Sequence, residues 1–142
     1  MKRLALPLLI ALAAATGSFA ADESPKIHRV VIQVQLDGAD KWQEVLNNIE
    51  NLQLTFGADK VQVKVVTHGA GAGLVLAKES TLRERITKLQ ASGAVFEVCG
   101  RTCAKKNIKQ EDLDPGVTIV DSGVAEVVRL QEQGWSYLKG GS

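Results

Sequence analysis

The chain has 142 residues, with 17 basic and 16 acidic side chains and a formal net charge of +1 at pH 7. This balance excludes the electrostatic footprint of a nucleic-acid-binding protein, and no polybasic run is present that would bind a membrane surface. The two cysteines, Cys99 and Cys103, are the candidates for thiol chemistry.

Residues 1–20 have the pattern of a secretory signal peptide. A charged start precedes the almost wholly apolar run Leu4–Ala15, and Ser18 and Ala20 place small residues before a cleavage site near Ala20. The run is shorter than the roughly 20 residues of a membrane span, although an uncleaved anchor is the alternative. We therefore expect a periplasmic or secreted protein with no membrane contact after cleavage, in a compartment that favours disulfides.

The rest of the chain is long enough for one domain with one core. We predict a flexible lead-in over residues 21–27, the domain itself over residues 28–139 and a short tail over residues 140–142.

Five strand patterns alternate with helical patterns along this domain. The predicted strands are 28–36, 61–67, 94–99, 117–120 and 135–139. Each connection exceeds the dozen or so residues that a parallel crossover needs. The order predicts an α/β fold, a doubly wound parallel sheet of five strands with helices on both faces.

The helical patterns carry cap signals and apolar stripes. Asp40 with Gln43 and Thr81 with Glu84 fit capping boxes, and Ser122 fits an N-cap. The predicted inward-facing stripes are Val45, Ile49, Leu52 and Phe56 in the first helix, Leu82, Ile86 and Leu89 in the second, and Val124, Val127, Val128 and Gln131 in the last.

Polar residues end or directly follow four of the predicted strands. They are Asp37, His68, Cys99 and Asp121. Ligands of doubly wound proteins bind beyond the carboxyl ends of the strands, so we expect these side chains to share one rim of the sheet.

The glycine-rich segment after the second strand is a candidate ligand loop. His68, Gly69 and Gly71 belong to the run HGAGAG, whose backbone N–H groups could approach an anion. The spacing differs from the dinucleotide fingerprint G-x-G-x-x-G, and a tight structural turn is the alternative.

Cys99 ends the third strand, and Gly100 permits a sharp turn after it. Arg101 and Lys105 follow in the start of a predicted helix. A helix N-terminus, nearby cations and partial exposure favour a thiolate, so Cys99 is the candidate nucleophile, with Gly100 and Arg101 as anion-binding residues. A solvated helix face is the alternative interpretation of the cations.

Cys103 follows Cys99 at a spacing of four, which would place both thiols on one helical face about 6 Å apart at Cα, within disulfide range. A resting disulfide and a working pair with Cys103 as the resolving thiol both remain open. Two cysteines and one histidine are too few for a closed zinc site in one chain, so we predict no metal and no cofactor.

Three parts of the chain resemble the DsrE/DsrF-like sulfur-relay family, which includes YchN-like proteins. They are the strand ending in Cys99-Gly100, the His68-Gly69 step, and Gly116–Lys139, GVTIVDSGVAEVVRLQEQGWSYLK. The resemblance implies a flavodoxin-like fold and a homo-oligomer, a trimer or hexamer. In relay members a cysteine carries sulfur as a persulfide to a partner, and Cys99 matches its position.

Two functions fit these observations. The first is an exported sulfur-handling or thiol-redox protein, in which Cys99 carries a persulfide and Cys103 resolves it, with a sulfur donor or acceptor protein as partner. If active, it would transfer sulfur and not turn over a metabolite. The second is a non-catalytic oligomeric module that binds a small anion or a protein, with the cysteines as a structural disulfide.

Overall fold

Strands rich in β-branched residues form the centre of the molecule. The computed structural model describes residues 26–78 and 81–141. Five parallel strands form one sheet in the order β4-β3-β2-β1-β5. They are β1 (His28–Val34), β2 (Val61–Thr67), β3 (Val95–Cys99), β4 (Thr118–Val120) and β5 (Ser136–Gly140).

Helices fill the connections between the strands. They are α1 (Ala39–Phe56), α2 (Arg83–Ala91), α3 (Gly100–Lys106) and α4 (Gly123–Glu132), with 3₁₀ helices at Gly69–Val75 and Gln110–Asp112. The predicted flavodoxin-like α/β fold with a five-stranded parallel sheet is therefore confirmed. Within the described residues, no helix is both long and apolar enough to cross a membrane.

The two faces of the sheet bury different amounts of apolar surface. The main core lies on the face covered by α1 and α2, where Ile32, Val65 and Phe96 are fully buried. A smaller core lies on the other face, where Val31 and Val66 pack against α4. Since successive strand residues point to opposite faces, each central strand supplies both cores and reads as a continuous apolar run.

The sheet has its topological switch point between β1 and β5. The chain leaves β1 through α1 on one face and enters β5 through α4 on the other. All five strands end at the same edge, and this edge carries the functional candidates.

The helix starts differ from two of the predicted capping boxes. Helix α1 begins at Ala39 after Gly38, and α2 begins at Arg83 after Leu82. Within residues 26–78 and 81–141 no side chain caps either helix; Asp40 and Glu84 lie in the first turns, where acidic residues favour the helix dipole. The predicted Ser122 cap is confirmed, since its hydroxyl accepts a hydrogen bond from the N–H of Ala125.

The buried side of α4 also differs from the prediction. Val127 is buried as expected, but Val124 and Val128 are exposed, at 55% and 48% of their surface. The buried positions are instead Gly123, Val127 and Leu130. This shift follows from Gly123, which turns towards the sheet at the start of the helix.

The signal-peptide prediction, residues 1–20, lies outside the described residues. Most of the predicted lead-in does so too.

Gly71 shows how tightly the glycine-rich segment packs on the sheet. A Cβ at this position would lie 2.4 Å from the backbone oxygen of Val34. Its N–H donates to the backbone oxygens of Gln35 and His68. The 3₁₀ helix can therefore follow β2 closely only because position 71 has no side chain.

We predict that Gly71→Ala destabilises the protein by about 3 kcal/mol or more, because backbone has to move to relieve this overlap. Urea unfolding of the purified protein would measure the loss. Gly69→Ala is the matched control: position 69 has a positive φ but nothing within 4 Å of a new Cβ, so it should cost only about 1–2 kcal/mol. Equal losses in the two variants would contradict the packing argument.

Candidate functional site: a hydrogen-bonded thiol at the sheet edge

Cys99 is the last residue of β3 and directly precedes α3. Its backbone is extended, with φ −67° and ψ 118°. Side chains alternate along a strand, so Cys99 points to the same face as Glu97 and away from Phe96 and Val98, which belong to the main core. The thiol therefore lies on the face that α4 covers.

Four hydrogen-bond donors lie close enough to this sulfur atom to lower its pKa. Burial raises the pKa of the Cys99 thiol, but hydrogen bonds from the N–H groups of Gly123, Thr102 and Arg101 and from the Thr102 hydroxyl outweigh it. The net effect is a pKa below the ordinary value for cysteine. The thiolate is thus favoured by directed dipoles, as expected for a reactive cysteine.

Thr102 joins the thiol to the glycine-rich segment. Its Oγ1 accepts a hydrogen bond of 3.0 Å from the N–H of Gly69. Because that interaction uses an oxygen lone pair, the hydroxyl hydrogen stays available for Cys99. Gly69, predicted as an anion-binding residue, therefore acts on the site through Thr102.

His68 is a neighbour of Cys99 across the α4 helix start. A Cβ at Gly123 would lie 3.1 Å from the Cβ of Cys99 and 3.3 Å from that of His68. Burial lowers the pKa of His68. The predicted rim residues His68 and Cys99 are therefore brought together at the first turn of α4.

Gly71 and Gly100, the other predicted anion-binding glycines, serve packing. The N–H of Gly71 is donated within the protein, as described above. A Cβ at Gly100 would lie 2.8 Å from the backbone oxygen of Val120, so this glycine lets α3 start close to β4. The alternative interpretation of the glycine-rich segment, a tight structural turn, agrees with this geometry.

The cationic side chains after Cys99 are not among the groups that lower its pKa. Arg101 and Lys105 are exposed. Among the described residues, the groups that lower the pKa of Cys99 are hydrogen-bond donors, and Arg101 contributes its backbone N–H. The charges of Arg101 and Lys105 therefore fit the alternative interpretation, a solvated helix face.

Cys103 occupies a different environment from Cys99. It is 4% exposed and belongs to the main core together with Phe96 and Val98. Burial and the negative charge of Cys99 both raise its pKa. The negative charge of a Cys99 thiolate therefore acts on Cys103. Because its pKa is raised, Cys103 is the weaker nucleophile of the two.

Both cysteines are free thiols in the structure. The expectation that they share one helical face is wrong, because Cys99 belongs to the strand and only Cys103 to the helix. Cys103 lies in the main core, whereas Cys99 does not. A resting disulfide therefore stays a prediction about the oxidised protein.

Exposure of the thiol is lower than the sequence indicates. Only 6% of the surface of residue Cys99 is exposed to solvent, whereas we expected partial exposure. The helix starts that supply its donors also cover it.

Sequence reasoning missed Thr102 and Gly123 as parts of the site. Thr102 follows Cys99 at a spacing of three, which is the spacing of an N-cap partner and could have indicated it. Gly123 is 24 positions away in the chain. It could have been found only from the expectation that β3 and β4 end side by side.

The fold and this site define a class: a doubly wound α/β protein with a low-pKa, hydrogen-bonded cysteine at the carboxyl edge of its sheet. The chain belongs to the DsrE/DsrF-like family, whose model matches residues 5–139. None of the curated proteins compared with the chain matches it.

Solved structures share the architecture. MTH1491 of Methanobacterium thermoautotrophicum, a protein of unknown function, has a TM-score of 0.74 at 28% identity, over 79% of this chain and 98% of its own. The ychN protein of E. coli has a TM-score of 0.62 at 13% identity, over 80% and 98% of the two chains. BT1422 of Bacteroides thetaiotaomicron, also of unknown function, has a TM-score of 0.58 at 17% identity, over 78% and 93%.

We predict that Thr102→Val raises the pKa of Cys99, because one hydroxyl donor is lost. A hydrogen bond to a charged group contributes about 1.5–3 kcal/mol, so alkylation by iodoacetamide at pH 7 should slow roughly tenfold. The pH dependence of the rate, followed by mass spectrometry of the Cys99 peptide, measures this change.

Thr102→Ser retains the hydroxyl and should react like the wild-type protein. Thr87→Val, on the exposed side of α2, controls for loss of a threonine hydroxyl elsewhere. Unchanged reactivity of Thr102→Val would contradict the assigned hydrogen bond.

Proposed function

We propose that this protein handles sulfur through Cys99, which accepts a sulfane sulfur as a persulfide and passes it on. The observation that carries the proposal is the set of donors around the sulfur, from Gly123, Thr102 and Arg101, which lowers the pKa of Cys99 in a buried position. Membership of the DsrE/DsrF-like family supports it.

The chemistry requires no oxidant. The Cys99 thiolate attacks the sulfane sulfur of a donor such as thiosulfate, and a new S–S bond forms at Cys99. The S–S bond of the donor breaks at the same time, and sulfite leaves with its electron pair. The thiolate and thiosulfate thereby become a persulfide anion and sulfite, with no change in total charge.

The persulfide anion should benefit from the same donors as the thiolate. Gly123 and Thr102 present their hydrogens to the Cys99 sulfur without further reorganisation, and such preorganised donors stabilise anionic sulfur best where water is scarce. Low exposure of Cys99 also protects a persulfide from hydrolysis and exchange with unrelated thiols.

Export and assembly are part of the proposal. The pattern of residues 1–20 supports a periplasmic or secreted location. Exposed apolar side chains, among them Leu54, Val124 and Val128, support contacts between copies in a homo-oligomer. A sulfur donor or acceptor protein would be the further partner.

The second candidate is a non-catalytic binding module in which the cysteines are structural. The low exposure of Cys99 favours it. A cavity of about 500 Å³ at the amino ends of the strands, lined by Lys26 and Arg29 among others, would suit a small anion. We prefer sulfur handling, because this cavity is far from the thiol and does not account for the donors around Cys99.

We predict that wild-type protein, reduced and then exposed to thiosulfate or polysulfide, gains 32 Da, about the mass of one sulfur atom, on Cys99. Intact-mass spectrometry with peptide mapping measures the gain. Cys99→Ser should gain none while keeping its fold, whereas Cys103→Ala, the matched control, should still be modified at Cys99.

The binding module predicts a different result. Cys99→Ser would then lower the thermal midpoint, and the reduced wild-type protein would take up no sulfur. That outcome would overturn the sulfur-handling proposal.

A further inference from the structure

Four neighbouring strands contribute polar side chains to the α4 face, among them Cys99, His68, Gln33 and Tyr137. Cys99 ends β3, His68 directly follows β2, Gln33 lies in β1 and Tyr137 in β5. The strand order β3-β2-β1-β5 places these side chains in a row that begins at the thiol and crosses the switch point.

Hydrogen bonds connect three members of this row. The Tyr137 hydroxyl donates to Gln33 Oε1 over 2.8 Å. Gln33 Nε2 lies 2.8 Å from His68 Nε2. An amide nitrogen has hydrogens but no usable lone pair, so Gln33 is the donor and His68 Nε2 the acceptor.

This arrangement determines the form of the His68 ring. A nitrogen that accepts a hydrogen bond carries no proton, so the neutral imidazole has its proton on Nδ1. Burial lowers the pKa of His68, which keeps the ring neutral at pH 7. Nδ1 is also the ring nitrogen nearer to the Cβ, and the Cβ of His68 lies beside that of Cys99 across Gly123.

We propose that His68 donates its Nδ1–H to the terminal sulfur of the anion at Cys99, and that Gln33 and Tyr137 are positioning residues which hold the ring in that tautomer. The ligand class is a sulfane anion, either the donor or the persulfide formed from it. A neutral imidazole stabilises such an anion by a hydrogen bond without protonating it.

Among the charged groups on this face, Lys64 and Arg129 are in ion pairs, whereas Lys139 is in register with Gln33 and lies three strands away from Cys99. Lys64 lies in β2, four residues before His68. Its Nζ lies 2.9 Å from Glu97 Oε1 and 3.7 Å from Glu126 Oε1. At the rim, Asp121 pairs with Arg129. The uncharged imidazole of His68 is the neighbour of Cys99, and we therefore assign the anion-binding role to it.

The tautomer can be measured without any sulfur chemistry. The chain has two histidines, so the ¹⁵N shifts of His68 are assignable with a His28→Asn sample. We expect a protonated Nδ1 and an unprotonated Nε2 at pH 7 in the wild-type protein. Gln33→Leu, and to a smaller extent Tyr137→Phe, should raise the fraction with the proton on Nε2.

Two replacements of His68 test which nitrogen serves the site. The side-chain nitrogen of asparagine reaches the position of Nδ1, and that of glutamine reaches the position of Nε2. We expect His68→Asn to form the Cys99 persulfide within severalfold of the wild-type rate, and His68→Gln to lose at least about tenfold, the loss of a hydrogen bond to a charged group. His28→Asn, at the opposite end of the strands, is the matched control and should not change the rate.

The outcomes separate this inference from the proposed function on which its second test rests. Wild-type protein that takes up no sulfur would overturn the proposed function, while the ¹⁵N spectrum still decides the tautomer. Uptake at Cys99 with equal rates for His68→Asn and His68→Gln would overturn the inference alone. A proton on Nε2, or an imidazolium at pH 7, would also overturn it.

Discussion

The close approach of α4 to the end of β3 is the constraint on which the site depends. A Cβ at Gly123 would lie only 3.1 Å from the Cβ of Cys99 and 3.3 Å from that of His68, so these neighbours would have to shift to admit a side chain. Because residue 123 has no side chain, the first N–H of the ten-residue helix α4 can approach the Cys99 sulfur. A larger residue would separate the helix from the sheet and remove both the donor and the cover of the thiol.

The same approach explains the combination of low exposure and low pKa. Burial by itself disfavours a thiolate, and in Cys103 it raises the pKa. Cys99 is buried to a similar extent, yet its pKa is lowered, because backbone and hydroxyl donors replace the water that burial removes. The pKa values of these two thiols, four residues apart, are therefore shifted in opposite directions. The cause is that the two side chains lie on different faces of the sheet.

The parallel sheet converts separate stretches of chain into one row. Each strand ends at the same edge, and polar residues lie at or after the ends of several of them. Along this edge the thiol, the imidazole and the Gln33 amide lie on neighbouring strands, although they are about 30 residues apart in the chain. This order of strands also places the row under α4, the helix of the less apolar face.

Much of the fold could be predicted from the sequence, and the predictions that were wrong have physical causes. Periodicity and glycine positions located β2 to the residue and placed Cys99 at the end of β3. The capping boxes at Asp40 and Thr81 failed because the local pattern does not reveal where tertiary packing starts the helix. Val124 and Val128 were assigned to the buried side of α4 because apolar residues lie on more than one side of this helix, and the buried direction is set by the contact of Gly123 with the sheet.

By itself the sequence determined an α/β sheet with a cysteine at the carboxyl edge of a central strand, since strand period, crossover length and turn residues are local properties. Only the tertiary structure decided what surrounds that cysteine. Thr102 and Gly123 reach Cys99, and Gln33 reaches His68, through the lateral order of the strands and the face that each helix covers. Those relations depend on long-range packing, which local sequence patterns do not contain.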